Sequence, residues 1–487
     1  MAWEGIRPRG ARNRGCDARL DVHPVGQTTK PGAPPGRRAS VPLSATGTTR
    51  RPRRVFNRLR TALRHPVSRN ALALYGVQIA TLVIPLLTLP YVARVLEPTA
   101  LGLVIFAQGF AFALMAFIDW GFGLTGVRSV AAVQDDPDAL AEVVRRVRGA
   151  QIGLVLLSGL FALTAFLLVP TLREHPEFLV LAYVAAATSG LAPDWFFLGI
   201  EQMRIMAIIQ LGFRIVGAAL TFVLVKSPAD AWMVMALFAA SSVGSLLVAD
   251  VLMYRRVEYR TPRWRSSLGE IRNGSMIFVA TLAVTLYTSF NVVLLGFLAT
   301  SADVAHFGAG ERLVRVSITL LGPIGAAVIP RMTALHTAGE TERARRLLVI
   351  AVAVCALPAI AITLVLVVFA GPIIRLIYGG AFVEDSVPIL RVLALLIPIN
   401  VTAVVFGVWL TTMHRDRLVL VVALTAGIAN IILGVILTLT FGPIGMAWSV
   451  IAAEGVAAIG ALIAVRWGTR RSAARAAETP ATELSEA

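Results

Sequence analysis

Residues 417–465 read RLVLVVALTAGIANIILGVILTLTFGPIGMAWSVIAAEGVAAIGALIAV, and past Arg417 the only charge among them is Glu454. Gly442-Pro443 divides the stretch into two apolar runs, 417–440 and 443–465. At 1.5 Å per residue, each is long enough to cross a hydrocarbon layer of ~30 Å. The same pattern recurs back to Asn70. It gives twelve expected spans: 70–93, 101–123, 149–169, 178–199, 204–225, 230–253, 274–298, 311–333, 347–370, 387–410, 417–440 and 443–465. Nothing between them is long enough to fold as a soluble domain. Composition agrees, since 57% of the 487 residues are hydrophobic and only 15% are charged, against about 25% charged in a soluble domain. Mean hydropathy is +0.75. The expected fold is an all-α integral membrane protein.

Charge is unevenly placed. The formal net charge is +17, and 16 of the 45 Lys and Arg lie in residues 1–69. That tail has no apolar run and no signal-peptide core. It reads as disordered, with Arg50, Arg51, Arg53, Arg54, Arg58 and Arg60 suited to anionic headgroups. A start codon set too far upstream is the other reading, and nucleic-acid binding is disfavoured. With the N-terminus inside, the inner loops and C-terminal tail carry 21 Lys and Arg, whereas the outer loops carry four: Arg94, Arg173, Lys226 and Arg375. That bias follows the positive-inside rule and puts both termini in the cytoplasm. No outer loop exceeds about 16 residues, which argues against an outer catalytic loop. No Gly-rich Lys/Ser phosphate loop is present, so the chain does not hydrolyse ATP. Cys16 and Cys355 make no disulfide or metal framework.

An internal repeat is visible. Glu142-Val-Val-Arg145-Arg146 precedes the third span, and Glu342-Arg-Ala-Arg345-Arg346 precedes the ninth. Arg69-Asn70 opens the first span as Arg272-Asn273 opens the seventh. Two basic inner-loop clusters are the plainer explanation. The repeat reading gives two six-helix lobes related by a pseudo-two-fold along the membrane normal. The expected organisation is then a basic tail over 1–69, an N-lobe over 70–253, an inner linker over 254–273, a C-lobe over 274–465 and a C-terminal tail over 466–487.

A charge in hydrocarbon costs about 2.5–3.5 kcal/mol on insertion scales, so it faces a cavity or a partner. Arg214 lies mid-span. Arg312 and Arg315 open the eighth span beside Glu311, three residues apart and therefore on one helix face. Arg391 lies in the tenth. Together they can line a cationic cavity, since the guanidinium fork matches phosphate oxygens. The alternative makes Glu311–Arg315 an i,i+4 pair and lets Arg391 snorkel outward. Glu454 suits either a proton site or a buried Arg partner. Asp119 and Asp250 read as interfacial. Pro85, Pro90, Pro193, Pro323, Pro358 and Pro398 interrupt spans and allow bending.

Several stretches, in order, carry a resemblance. They are Pro85-Leu-Leu-Thr-Leu-Pro90-Tyr91-Val-Ala-Arg94-Val-Leu, Ile118-Asp119-Trp-Gly121-Phe-Gly123-Leu and Pro193-Asp194-Trp195-Phe196-Phe197-Leu-Gly199-Ile-Glu201-Gln-Met203. Phe307-Gly-Ala-Gly-Glu311-Arg312-Leu313 and Ile374-Arg375-Leu-Ile-Tyr378-Gly379-Gly380-Ala-Phe382 follow. Over roughly 70–465 the chain resembles the polysaccharide repeat-unit flippases (Wzx-type, polysaccharide biosynthesis proteins). Their superfamily also holds multidrug extruders and peptidoglycan-lipid flippases. The resemblance implies a two-lobe fold that moves polyprenyl-pyrophosphate-linked glycans to the outer leaflet. It implies that Arg312 faces the cavity and contacts the pyrophosphate or an acidic sugar. A Lys often stands at this position in the family, so the charge itself counts. Asp194 and Glu201 then read as packing or gate residues.

The leading expectation is therefore a flippase, not an enzyme, working by alternating access in the cytoplasmic membrane without cofactor or metal. Arg312, Arg214, Arg315 and Arg391 would bind the anion, and Glu454 and Glu311 are candidates for ion coupling. The expected partners are the lipid-linked glycan, membrane lipids and, from the family's setting, the polysaccharide polymerase and chain-length machinery, with no nucleic acid. The alternative is a multidrug or cation extruder of the same superfamily, which would want acids in its cavity. A peptidoglycan-precursor flippase would need more spans. A membrane glycosyltransferase would need a catalytic acid pair or a long outer loop, and a scaffold gives no reason for mid-span arginines.

Overall fold

The computed structural model describes residues 66–338, 340–413 and 415–478. Most of the expected basic tail, residues 1–65, lies outside them, as does the end of the C-terminal tail. Apart from two short 3-10 turns, Pro228–Asp230 and Gly380–Phe382, the regular structure there is α-helical.

Helix α1 (Pro66–Asp119) carries the first two expected spans end to end. It breaks at Glu97, whose backbone (φ 61, ψ 170) leaves the helical region. Pro98 follows. A residue before proline is pushed out of the α region, and proline's fixed φ suits the first turn of the next helix. Helix α2 (Phe122–Ala131) starts after Trp120 and Gly121, both at positive φ (46 and 82). Gly121 is required there twice over, since a Cβ would also come within 2.8 Å of Ile277. Helix α3 (Pro137–Leu168) is capped by Asp136, whose carboxylate accepts from the amides of Asp138 and Ala139 at 3.0 and 3.1 Å.

The fourth expected span is split. After the short α4 (Pro170–Glu174), α5 (Pro176–Gly190) stops before Pro193 and α6 (Asp194–Gly199) resumes behind it. Helices α7 (Met203–Leu224) and α8 (Ala231–Tyr254) close the first half. The seventh span is also divided, into α9 (Trp264–Thr288) and α10 (Asn291–Leu298), which meet at 58°. Then follow α11 (Ser301–Thr337), α12 (Thr341–Val368), α13 (Ala370–Ile377), α14 (Val383–Ala394), α15 (Leu396–Thr412), α16 (Asp416–Phe441) and α17 (Pro443–Glu478).

By length and apolarity, nine stretches among the described residues suit a membrane crossing, ten if α9 and α10 form one span. The other two of the twelve expected segments fall in α11 and in Leu87–Ala131, which counts once although the chain turns at Glu97. Within the expected linker at 254–273 the chain is helical from Trp264, and in the expected tail from 466 helix α17 continues to Glu478.

Large apolar side chains point outward: Leu156 and Leu168 of α3 are 64% and 73% exposed, and Leu357 of α12 is 71% exposed. In water such a surface would drive aggregation. In lipid it carries no penalty, so the hydrophobic residues facing out fit a membrane. Inside, alanines 182, 185 and 186 of α5 and 447 and 453 of α17 are buried. Small residues let helices approach closely where lipid removes the hydrophobic drive to associate. Between the halves of the chain, α1 packs along α11 and α3 packs on α9.

Candidate functional site

Helix α11 carries the most developed polar group, and its two arginines diverge. Arg312 is half-buried and donates from Nη2 to Oε1 of Gln108 on α1 at 2.7 Å. Arg315 is exposed and donates to Glu311, one turn earlier, and to the carbonyl of Thr288 at the end of α9. Because Glu311 serves Arg315, no carboxylate among the described residues forms an ion pair with Arg312. Tyr378, fully buried, donates its hydroxyl to the Ala309 carbonyl at 3.0 Å, and it is with Glu311 one of the two groups whose charge bears on Arg312. Arg312 therefore keeps donors that a neutral amide does not neutralise, and an anion would complete it.

Glu454 of α17 is 3% exposed and accepts from Asn400 Nδ2 of α15 at 2.8 Å. Arg315 is the basic group whose charge reaches it, and Tyr287 of α9 feels the carboxylate in turn. Close to Tyr287, Asn430 of α16 donates to the Leu286 carbonyl at 3.0 Å and to Asn291 Oδ1 at 2.6 Å. Asn291 stands just past the α9–α10 bend, so the bend places a buried amide where a straight helix would carry it round to another face. Asn430 Oδ1 has no hydrogen-bond partner. The structure thus gathers Arg312, Glu311, Arg315 and Glu454 in one region of the second half.

The remaining two predicted arginines make other contacts. Arg214 of α7 is exposed, and Asp194 is the acid that bears on it. Asp194 itself accepts from Gln210 at 3.0 and 3.3 Å and feels the charge of Asp119. Arg391 of α14 is exposed and donates to the Val367 carbonyl at 3.3 Å. Among the described residues, no hydrogen bond or ion pair joins Arg214 or Arg391 to Arg312 or Arg315. Sequence reasoning passed over Gln108, Asn400, Asn430 and Tyr287. Their signal is present in the sequence, because an amide or hydroxyl in hydrocarbon also needs a partner, but formal charge does not mark it.

The face carrying the basic loops is tied across the two halves. Trp120 stacks on Phe278 at 3.8 Å and 9°, and its Nε1 donates to the Ile271 carbonyl at 2.9 Å. These contacts hold Trp120 in its left-handed conformation. Arg146 pairs with Glu270 at 3.4 Å. Nearby, Arg148 bridges Asp250 and the Leu191 carbonyl. In the loop beyond, Arg260 is raised above the usual guanidinium range by its hydrogen bonds to Asp138 and Glu258. The aromatic run Trp195, Phe196 and Phe197 is fully buried, with Trp195 against Gly126 of α2.

Comparison with known proteins bears on this arrangement. The family model described as "Polysaccharide biosynthesis protein" matches residues 67–336, and one described as "MatE" matches 277–436. A protein of Escherichia coli (strain K12) named "Putative O-antigen transporter" is 27% identical over 396 residues, covering 79% of this chain and 93% of the relative. A Shigella dysenteriae protein of the same name is 26% identical over 408 residues, covering 82% and 100%. Among solved structures, an inward-facing multidrug-resistance MATE transporter of the MOP superfamily superposes with a TM-score of 0.64 at 16% identity, covering 82% of this chain and 96% of its own. The lipid II flippase MurJ in an inward closed conformation gives 0.63 at 15% identity, covering 80% and 87%. At such identities the last two speak for the fold alone.

Proposed function

The chain belongs to the polysaccharide biosynthesis protein family, matched over residues 67–336, and from that premise we propose that it is a flippase for lipid-linked glycans. The cargo would be a polyprenyl-pyrophosphate-linked oligosaccharide repeat unit, moved from the inner to the outer leaflet of the cytoplasmic membrane. The names of the Escherichia coli and Shigella relatives support that reading. The observation that carries it is Arg312: a half-buried guanidinium with a neutral partner and, among the described residues, no ion pair of its own.

The working arrangement follows from that contact. Gln108 lies on α1 and Arg312 on α11, so their hydrogen bond joins the first half of the chain to the second. A pyrophosphate would compete with the Gln108 amide, and charge-assisted hydrogen bonds are roughly twice as strong as neutral ones. Loss of the Arg312–Gln108 bond would remove one polar tie between α11 and α1, which pack along each other, and in that way cargo binding would favour rocking of two lobes, 70–253 and 274–465, with both termini cytoplasmic. Glu454, held by Asn400 and within reach of Arg315's charge, is the candidate for ion coupling, with Glu311 beside it. Arg315, one turn along α11, would contribute to the anion path on release from Glu311, and Arg214 and Arg391 only in a conformation that brings them nearer to Arg312. The polymerase and chain-length machinery would receive the product.

A second reading, a multidrug or cation extruder, is favoured by one observation: the acids Asp119 and Asp194 lie near one another. The two differ in which variant fails. Arg312→Ala, compared with Arg312→Lys at equal expression, should trap lipid-linked oligosaccharide in the inner leaflet, with Lys restoring export. Full export by both variants, together with toxin sensitivity in Asp194→Asn, would move the assignment to the extruder.

A further inference from the structure

On the face opposite the basic loops, a cavity of about 590 Å³ opens between the end of α1's first segment and α13. Arg94, Gly371, Pro372, Arg375, Leu376 and Val383 line it. The mechanism above uses none of them. Arg94 and Arg375 come from opposite halves of the chain, and no acid lines the space with them among the described residues. Asp385, a short way along α14, instead faces His306 (Nε2 to Oδ2, 3.5 Å).

The two arginines are held differently. Arg94 passes beside Gly379, whose φ of +97 makes the turn after α13; a Cβ there would stand 3.6 Å from Arg94 Cγ. Its Nη2 donates to the Leu376 carbonyl, which fixes the guanidinium at the cavity wall. Arg375 is exposed, and its guanidinium has no hydrogen bond or ion pair among the described residues. One cation is thus oriented and the other is free to close on a ligand. The rim is apolar: Leu376 is 72% exposed, Val368 57% and Phe369 53%. Helix α13 keeps Ala370 and Ile374 buried, so it lies with one side on the protein and the other on its surroundings. A paired guanidinium site beside exposed aliphatic surface fits an amphiphile with a phosphate at one end.

We propose that this cavity binds the phosphate of a membrane lipid, with Arg94 and Arg375 on the phosphate and the acyl or prenyl chain along Leu376 and Val368. Under the charge-bias topology the site faces outside. It stands independently of the flippase reading. The same chemistry is offered by an anionic phospholipid and by a polyprenyl phosphate carrier.

The test is native mass spectrometry of the full chain, delipidated and titrated with phosphatidylglycerol, polyprenyl phosphate or phosphatidylcholine. Wild type should retain the two anionic lipids over phosphatidylcholine. Arg375→Gln should lower retention about 5-fold, and Arg94→Gln with Arg375→Gln more than 10-fold. Arg173→Gln, at an exposed outer-loop arginine that lines neither site, should change nothing. Equal loss of both anionic lipids makes the site a general lipid-phosphate site; loss of polyprenyl phosphate alone makes it a carrier-lipid site. Wild-type retention of both by the double variant, or an equal loss in Arg173→Gln, overturns the proposal. If the double variant does not fold, Arg375→Gln decides, since it breaks no bond among the described residues, and unchanged retention there overturns the site. Arg312→Ala should retain phosphatidylglycerol normally, so failed export with intact phosphatidylglycerol binding, or the converse, tells the two proposals apart.

Discussion

Arg312 and Arg214 are both mid-helix arginines in apolar runs, yet their neighbourhoods differ in kind. Arg312 on α11 is half-buried and held by the amide of Gln108, with the nearest acid, Glu311, engaged by Arg315. Arg214 on α7 is exposed and has Asp194 as its electrostatic counterpart. Each arginine feels the charge of one acid, but Glu311 is already ion-paired with Arg315, whereas Asp194 has only the amide of Gln210. An open cation is where an anionic cargo gains most, because its charge meets no prior claimant. The comparison therefore ranks the arginines, and each substitution below tests that rank.

The largest effect should come from Arg312. Hydrogen bonds to charged groups contribute about 1.5–3 kcal/mol, so Arg312→Ala should lower export about 10- to 100-fold. Arg312→Lys should recover most of it, because the charge stays while the fork is lost. Gln108→Ala removes only a competitor and should export better than Arg312→Ala. The readout is the inner-leaflet fraction of lipid-linked glycan at matched expression. Equal defects in Gln108→Ala and Arg312→Ala would mean that the contact is structural, and the ranking would collapse.

Next comes the buried acid. Asn400→Leu leaves Glu454 without its hydrogen bond at 3% exposure. An unsatisfied buried group costs about 1–3 kcal/mol, which a melting curve in detergent should register as a clear drop. Glu454→Gln should be milder, because it keeps an acceptor for Asn400 and removes the buried charge. If Glu454 couples an ion, the Gln variant will melt like wild type while its uphill transport fails. Identical melting of Asn400→Leu and wild type would show that Glu454 finds another partner.

The fold was far more legible than the site, and the reason is the range over which each signal acts. Apolar runs are local, so α3, α7, α8, α12 and α16 follow directly from hydropathy. The breaks at Glu97 and Pro193 carry proline signatures, but the 58° bend between α9 and α10 lies at Ser289-Phe290, where no proline or glycine marks it. The Glu311–Arg315 pair was readable from spacing alone. Gln108 with Arg312 and Asn400 with Glu454 are 204 and 54 residues apart. Their meeting is a product of helix packing, which no local pattern encodes. Charge marked the sites where a partner was needed and was silent on which partner arrived.

Arg214 should show a smaller effect. Arg214→Leu leaves Asp194 with Gln210 and removes a surface cation, so export should fall by no more than about 3-fold, in line with the 0–1 kcal/mol of exposed pairs. A double-mutant cycle with Asp194→Asn should give a coupling below about 1 kcal/mol. A loss as large as that of Arg312→Ala would show that Arg214 meets the cargo in another conformation, and the compensated arginine would have to be moved up.

Arg391 ends the series. It is exposed on α14 and makes one long hydrogen bond, 3.3 Å, to the Val367 carbonyl near the end of α12. That carbonyl is among the last of its helix, where the orphan acceptors and the negative end of the dipole favour a cation. Such a contact accounts for the arginine without any cargo. Arg391→Leu should therefore export within about 2-fold of wild type and melt slightly lower, by the few tenths of a kcal/mol that a helix-end charge contributes. Arg391→Lys should restore the melt, since charge at a helix end needs no fork. A strong export defect in Arg391→Leu with an unchanged melt would reverse the reading, because only contact with the cargo would then distinguish Arg391 from a capping cation.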